Sequence, residues 1–222
     1  MDCSVVTCVT GYFNKLHKTD VEKAFVYTTL KDTEFIEHAN FNGWEVKELP
    51  FKHSYDLREG TRQSKYVKFL KFHNPKTKYV IYVDHKYIIK KKHIPLLIEV
   101  IGDNAFLSFR NPSSIYEELY HSLGYERYRN DLNEMRRSIS DHRNEGFQSL
   151  DLFYGGLMVY NTEHERFPVI KKKMEESVEK YNHVQDQLLF PLALKDEPKI
   201  LINNTINLSH SHPQDPVPGE TY

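Results

Sequence analysis

Tyr79-Val80-Ile81-Tyr82-Val83-Asp84-His85-Lys86 is an apolar, β-branched and aromatic run that ends abruptly in charge. Five such residues in a row read as a strand buried on both faces. The carboxylate that follows then stands at the carboxyl edge of a sheet, where open α/β folds bind their ligands. Asp84 is therefore the first candidate site residue, and His85 and Lys86 follow it with a titratable and a cationic group.

Upstream, Ser4 to Thr10 has the same character and breaks at Gly11 into a polar loop containing Asn14, Lys15 and His17. Ala24 to Leu30 ends in Lys31-Asp32 and Trp44 to Leu49 ends at Pro50, so both read as strands. The fold is thus expected to open with strands and loops. Arg62 to His73 reads as a helix, with Tyr66, Phe69, Leu70 and Phe72 on an apolar side and Arg62, Lys65 and Lys68 recurring on another. Asn74-Pro75 stops it.

Downstream, Ile94 to Ile101 reads as a short helix with Pro95 in its first turn. Ala105 to Phe109 reads as a strand, then Ser113 to Leu123 and Tyr125 to Asn144 as charged helices separated at Gly124. Leu152 to Tyr160 is a strand holding Gly155-Gly156, where a ligand or another backbone can approach closely. Glu163 to Tyr181 is amphipathic, Gln185 to Leu194 is a shorter apolar helix, and Lys199 to Ile202 is a last strand. The alternation predicts an α/β fold with a mixed, mainly parallel central sheet flanked by helices. One domain over residues 1–205 and a polar, mobile tail over 206–222 are expected.

Thirty basic residues against thirty-one acidic ones leave a formal charge of -1, so no global field attracts nucleic acid. Cys3 and Cys8, five apart on one strand, point to opposite faces and form neither a mutual disulfide nor a two-thiolate metal site. Free thiols, no signal peptide and no membrane-length apolar run predict a cytoplasmic protein of a bacterium or virus-infected host cell.

The strand ends and the basic helix carry the remaining chemistry. A glycine after a strand, as at Gly11, lets backbone N–H groups approach a ligand, or is a plain turn. Arg62, Lys65 and Lys68, three and six apart, either grip a diphosphate or form a solvated helix face. Lys90-Lys91-Lys92-His93 is read as a solvated loop. Arg110 and Asn111 are read as part of a capped turn before Pro112, and Asp141, His142 and Arg143 as an acceptor edge or lid.

The order of Val9-Thr10-Gly11-Tyr12, Arg62-Gln63-Ser64-Lys65-Tyr66-Val67-Lys68, Tyr82-Val83-Asp84, Gly155-Gly156-Leu157-Met158-Val159 and Gln185-Asp186-Gln187-Leu188 resembles GT-A-fold glycosyltransferases. More narrowly, it is similar to a small group that includes plant cell-wall-related and large-DNA-virus-encoded transferases. The resemblance implies a Rossmann-like nucleotide-diphospho-sugar transferase fold that moves a sugar, expected to come from a UDP-sugar, onto a hydroxyl of a glycan or glycoprotein. It implies donor contacts from Thr10, Gly11, Tyr12, Asp32, Arg62, Lys65, Asp84, Gly155 and Gly156, and a reacting-centre carboxylate at Asp186. It also ranks Arg62 and Lys65 above Lys68.

In the family pattern a first Asp contacts the sugar or ribose and a second contacts a divalent cation on the diphosphate. Here the second position is Lys86, and a protonated ammonium ligates no metal. Three outcomes follow: Lys86 itself neutralises the diphosphate, Mn2+ or Mg2+ is held by Asp84 with His210 or His212, or the site is degenerate. Weak or altered metal dependence is the expectation. Catalytic roles fall on Asp84, Lys86 and Asp186, the last as base or as stabiliser of an oxocarbenium-like centre. The competing class is a noncatalytic nucleotide- or sugar-binding module. A nucleotidyltransferase would need more acidic metal ligands near Asp84.

Overall fold

Side-chain alternation along β1 (Cys3–Val9) sets the layers of the protein, a computed structural model describing residues 2–12, 16–146 and 151–203. Cys3, Val5 and Val9 face one core, which also holds Phe35, Leu97 and Ile101. Val6 and Cys8 face a second core with Val67, Phe69, Ile170 and Phe190. The two thiols, both free and buried, thus lie on opposite sides of the sheet as their spacing predicts.

The other strands are β2 (Ala24–Thr28), β3 (Glu45–Glu48), β4 (Tyr79–Val83), β5 (Phe106–Asn111), β6 (Leu152–Asn161) and β7 (Ile200–Ile202). They form one sheet ordered β3-β2-β1-β4-β6-β5-β7. Pairing is parallel throughout except that β6 runs antiparallel to both β4 and β5. Helices α1 (Thr33–Phe41) and α3 (Ile94–Ile101) supply the first core. Helices α2 (Leu57–Lys68), α7 (Phe167–Tyr181) and α8 (Asp186–Ala193) supply the second. Between β5 and β6, α4 (Ile115–Ser122), α5 (Glu126–Arg129) and α6 (Leu132–Asn144) build a smaller cluster against α8.

Three expectations about elements are corrected. Helix α1 stands where only loop was read; Phe35 and Ala39, four apart, are its buried stripe, and Asp32 is its N-cap. The basic helix runs over Leu57–Lys68 rather than from Arg62 to His73. Asp56 starts it by accepting from the Glu59 N–H at 2.7 Å, and a left-handed Leu70 (φ 60) ends it while the Lys71 N–H returns to the Tyr66 carbonyl. Phe69 and Leu70 stay fully buried beyond the helix, so the apolar pattern outlasts the helical backbone. Finally, the stretch read as one helix from Tyr125 breaks at Asn130-Asp131 into α5 and α6. Asp131 is buried there and accepts from Arg58 Nε at 2.6 Å and the Val184 N–H at 3.1 Å, which fixes the break.

Candidate active site

From β1 the chain runs outward through β2 to β3 and returns to β4 on the other side of β1. The strand order reverses there, and the crevice outside the carboxyl ends of β1 and β4 is the ligand position of an open α/β sheet. Thr10, Gly11 and Tyr12 follow β1 and Asp84 follows β4, so the sequence-predicted groups meet at one edge. Gly11 adopts φ +82, a backbone region that favours glycine, and Thr10 Oγ1 donates to the Gly60 carbonyl at 2.7 Å, tying the loop to α2.

Beside this loop lies a cavity of about 350 Å3 lined by Phe51, Lys52, His53, Ser54, Glu59 and Gln63. Tyr12 meets Tyr55 in a tilted contact at 5.4 Å, and Tyr55 meets His53 edge-on at 4.6 Å. Thr29, just past β2, holds His53 Nδ1 at 3.1 Å. Gln63 Oε1 and His53 Nε2 are buried without a hydrogen-bond partner among the described residues. The sequence had singled out neither residue. Asp32 is exposed at the start of α1, and Arg62 pairs with Glu59 at 3.7 Å.

The densest chemistry lies where α2, β4, β6 and α8 meet. Lys65 and Lys68, read as a diphosphate grip or a solvated face, are 2% and 4% exposed. Lys68 Nζ donates to the Gly155 carbonyl at 2.8 Å and to Asp186 Oδ2 at 2.5 Å, and lies 3.2 Å from Asp84 Oδ1. Those three oxygens match the three N–H donors of an ammonium group. Lys65 Nζ stands 3.4 Å from Asp186 Oδ2, and the Tyr82 hydroxyl donates to Asp84 Oδ1 at 2.8 Å. The solvated-face reading is thereby overturned, and Lys68 rather than Arg62 sits between the carboxylates.

The glycine pair makes this approach feasible. A Cβ on Gly155 would lie 2.0 Å from Asp186 Oδ2, and one on Gly156 would lie 2.6 Å from the Tyr87 ring and 3.2 Å from Asp84 Oδ2. The β5–β6 register jumps here, Ser108 pairing with Met158 and Phe109 with Tyr154. This irregularity takes Gly155 out of the paired register with β5, and its carbonyl accepts from Lys68. Close approach, expected from the sequence, is therefore to two side-chain carboxylates.

Electrostatics follow from the packing. Burial pushes the Asp186 carboxyl up, but Lys65 and Lys68 outweigh it and hold the group well below the usual carboxylate range. Asp84 is likewise lowered: burial opposes ionisation, while Lys68 and then Lys86 favour it. Burial pulls Lys68 down, yet Asp186 and Asp84 hold it above its ordinary value. Lys65 goes the other way; burial, only partly offset by Asp186, brings it down to about 8. An anion this stabilised is a poor proton acceptor near neutral pH, so Asp186 suits charge stabilisation better than general base catalysis.

Lys86 is exposed, at the tip of a turn in which the Tyr87 N–H donates to the Asp84 carbonyl at 2.9 Å, with its Nζ 5.7 Å from the Tyr87 ring. His210 and His212 lie outside the described residues, as does the tail over 206–222. Among the described residues no group of three His, Cys, Asp or Glu side chains converges to hold a metal ion. The oxygens that do converge surround an ammonium, so they do not fit a divalent cation.

Asn111 serves the turn before Pro112, accepting from the Ser113 N–H at 3.0 Å, and also donates to buried Glu118 at 2.9 Å. Gln185 caps α8 and donates to Glu118 and Ser122, each at 2.9 Å, holding the helix that carries Asp186. Asp141, His142 and Arg143 end α6 beside Lys180, Glu145 and Tyr116. Arg127, on α5, stacks on Tyr125 and Tyr128, and its charge adds to the lowering of Lys65. No helix among the described residues is long and apolar enough to cross a membrane.

No protein-family model and no curated protein matches the sequence. Solved structures do match the fold. An active-site mutant of the galactosyltransferase LgtC superposes with a TM-score of 0.53 at 16% identity, over 90% of this chain and 72% of that one. The glycosyltransferase GlyE of Streptococcus pneumoniae TIGR4 gives a TM-score of 0.52 at 13% identity, over 90% of this chain and 45% of that one. Among the described residues, the mixed seven-stranded sheet flanked by helices has the Rossmann-like GT-A fold of these glycosyltransferase structures.

Proposed function

We propose that this chain is a glycosyltransferase that moves a sugar from a nucleotide diphosphate, a UDP-sugar, to a hydroxyl of a glycan or glycoprotein. The observation that carries the reading is the meeting of the Thr10-Gly11 turn with Asp84 at the strand-order reversal, and of Asp84 with Asp186 across Lys68. The motif order supports membership of the group with plant cell-wall-related and large-DNA-virus transferases. The nucleoside lies against Thr10, Gly11, Tyr12 and Asp32, with Arg62 and exposed Lys86 facing the diphosphate. Asp84 orients the sugar, Gly155 and Gly156 let Asp186 and Asp84 close up against β6 beside it, and Asp186 stabilises positive charge on the anomeric carbon. The bond from anomeric carbon to diphosphate oxygen breaks with its electron pair going to the diphosphate. The acceptor oxygen bonds to that carbon, and the hydroxyl proton passes to the diphosphate.

Asp84→Ala should lower donor-dependent transfer by about a hundredfold or more, read as UDP release with an acceptor panel. Unchanged turnover sinks the assignment. The saturation of Asp186 by two ammonium groups also favours a second reading, a binding module without turnover. Calorimetric titration with UDP, alongside a donor-hydrolysis assay, separates the two: binding with neither hydrolysis nor transfer identifies the module.

A further inference from the structure

The GT-A fold implies a divalent cation at its acidic motif, and here the oxygens that gather around Asp84 are already occupied. Asp84 Oδ1, Asp186 Oδ2 and the Gly155 carbonyl form a set of hard oxygen donors of the type that binds Mg2+ or Mn2+. All three face Lys68 Nζ, which comes from α2, 87 residues before Gly155 and 118 before Asp186. A cation entering this set would have to displace a buried ammonium or sit beside it. Either course is opposed, by lost hydrogen bonds in the first case and by like charge at short range in the second. On the outer side of Asp84, Lys86 holds the position of the second acidic residue and its charge also acts on Asp84.

We propose that Lys68 is a fixed internal counter-ion that fills this oxygen set, so that the Asp84–Asp186 pair binds no metal and, with Lys86 at the second acidic position, sugar transfer proceeds without one. Lys68 is a positioning residue in this scheme: it touches the two carboxylates and holds both in place, while Lys86 at the exposed turn is left to meet the diphosphate. Sequence reading assigned the substitution to Lys86 alone; the geometry adds a second, buried lysine that fills the oxygen cage itself. The part that concerns transfer rests on the glycosyltransferase reading, whereas the part that concerns metal binding stands on the cage.

The test uses the full chain and Mn2+ alone, followed by electron paramagnetic resonance. Wild-type protein should bind Mn2+ no better than Asp84→Asn does, whereas Lys68→Met, with the cage emptied, should bind it at least about a hundredfold more tightly. Lys68→Met/Asp84→Asn should lose that gain, which a merely structural role for Lys68 would never produce. Stoichiometric Mn2+ binding by the wild type that Asp84→Asn removes overturns the inference, and so does a folded Lys68→Met with no gain. Should Lys68→Met not fold, the wild-type comparison with Asp84→Asn still decides. Turnover on UDP-sugar donors should be the same in EDTA as in Mn2+; activity lost to EDTA and restored by Mn2+ overturns the proposal. Absence of turnover under both conditions counts against the transferase reading alone, since the resonance measurement needs no activity.

Discussion

Two basic runs look alike in the sequence and could hardly differ more in the fold. Lys65 and Lys68 on α2 are buried among Asp186, Asp84 and a main-chain carbonyl. Lys90-Lys91-Lys92-His93 forms a turn entering α3, where the Lys91 N–H donates to Asp20 and its ammonium, well exposed, lies 3.0 Å from Glu22. Each run has anionic partners, so pairing is not the distinction. What separates them is water: at the second run solvent screens the charge and replaces a lost partner, and at the first it does neither. A run of lysines therefore has no fixed energetic meaning until its burial is known.

Exchanging single lysines should expose that difference. Lys68→Met leaves buried Asp186 and part-buried Asp84 without their shared counter-ion and should cost about 3–5 kcal/mol, measured as the shift of the urea midpoint. Lys65→Met should cost about 1–2 kcal/mol at pH 7, because Asp186 keeps Lys68, and should change the pH profile. In the folded chain Lys65 titrates at about 8 rather than 10.5, so between those values the unfolded chain holds the extra proton. Wild-type stability should accordingly rise relative to Lys65→Met as pH goes from about 8 to about 10.5, and a flat difference over that window would break the comparison. Lys91→Ala should change stability by no more than about 0.5 kcal/mol, and less in high salt. A loss there as large as at Lys68 would mean that burial is not the deciding variable.

The same logic accounts for what was legible beforehand. The β4 run and its terminal Asp84 were readable because a strand buried on both faces needs an unbroken apolar stretch, and its end is marked by the first charge. The opposite placement of Cys3 and Cys8 followed from the period of a strand. Helix α1 was missed because its apolar stripe is short, and α2 was placed late because Phe69 and Leu70 stay buried after the helix has ended. His53 gave no signal, and Gln63 none beyond its place in the Arg62–Lys68 stretch; single polar residues acquire meaning only when a cavity forms around them.

By itself, then, the sequence determined the α/β class, the edge at which Asp84 stands, the glycine pair and the lysine two residues after Asp84, since each is a local property of spacing and residue type. Only the tertiary structure decided that Lys68 enters an oxygen cage built from β4, β6 and α8. Its partners lie up to 118 residues away, and no local pattern encodes a contact whose energy comes from excluding water around groups brought together by folding.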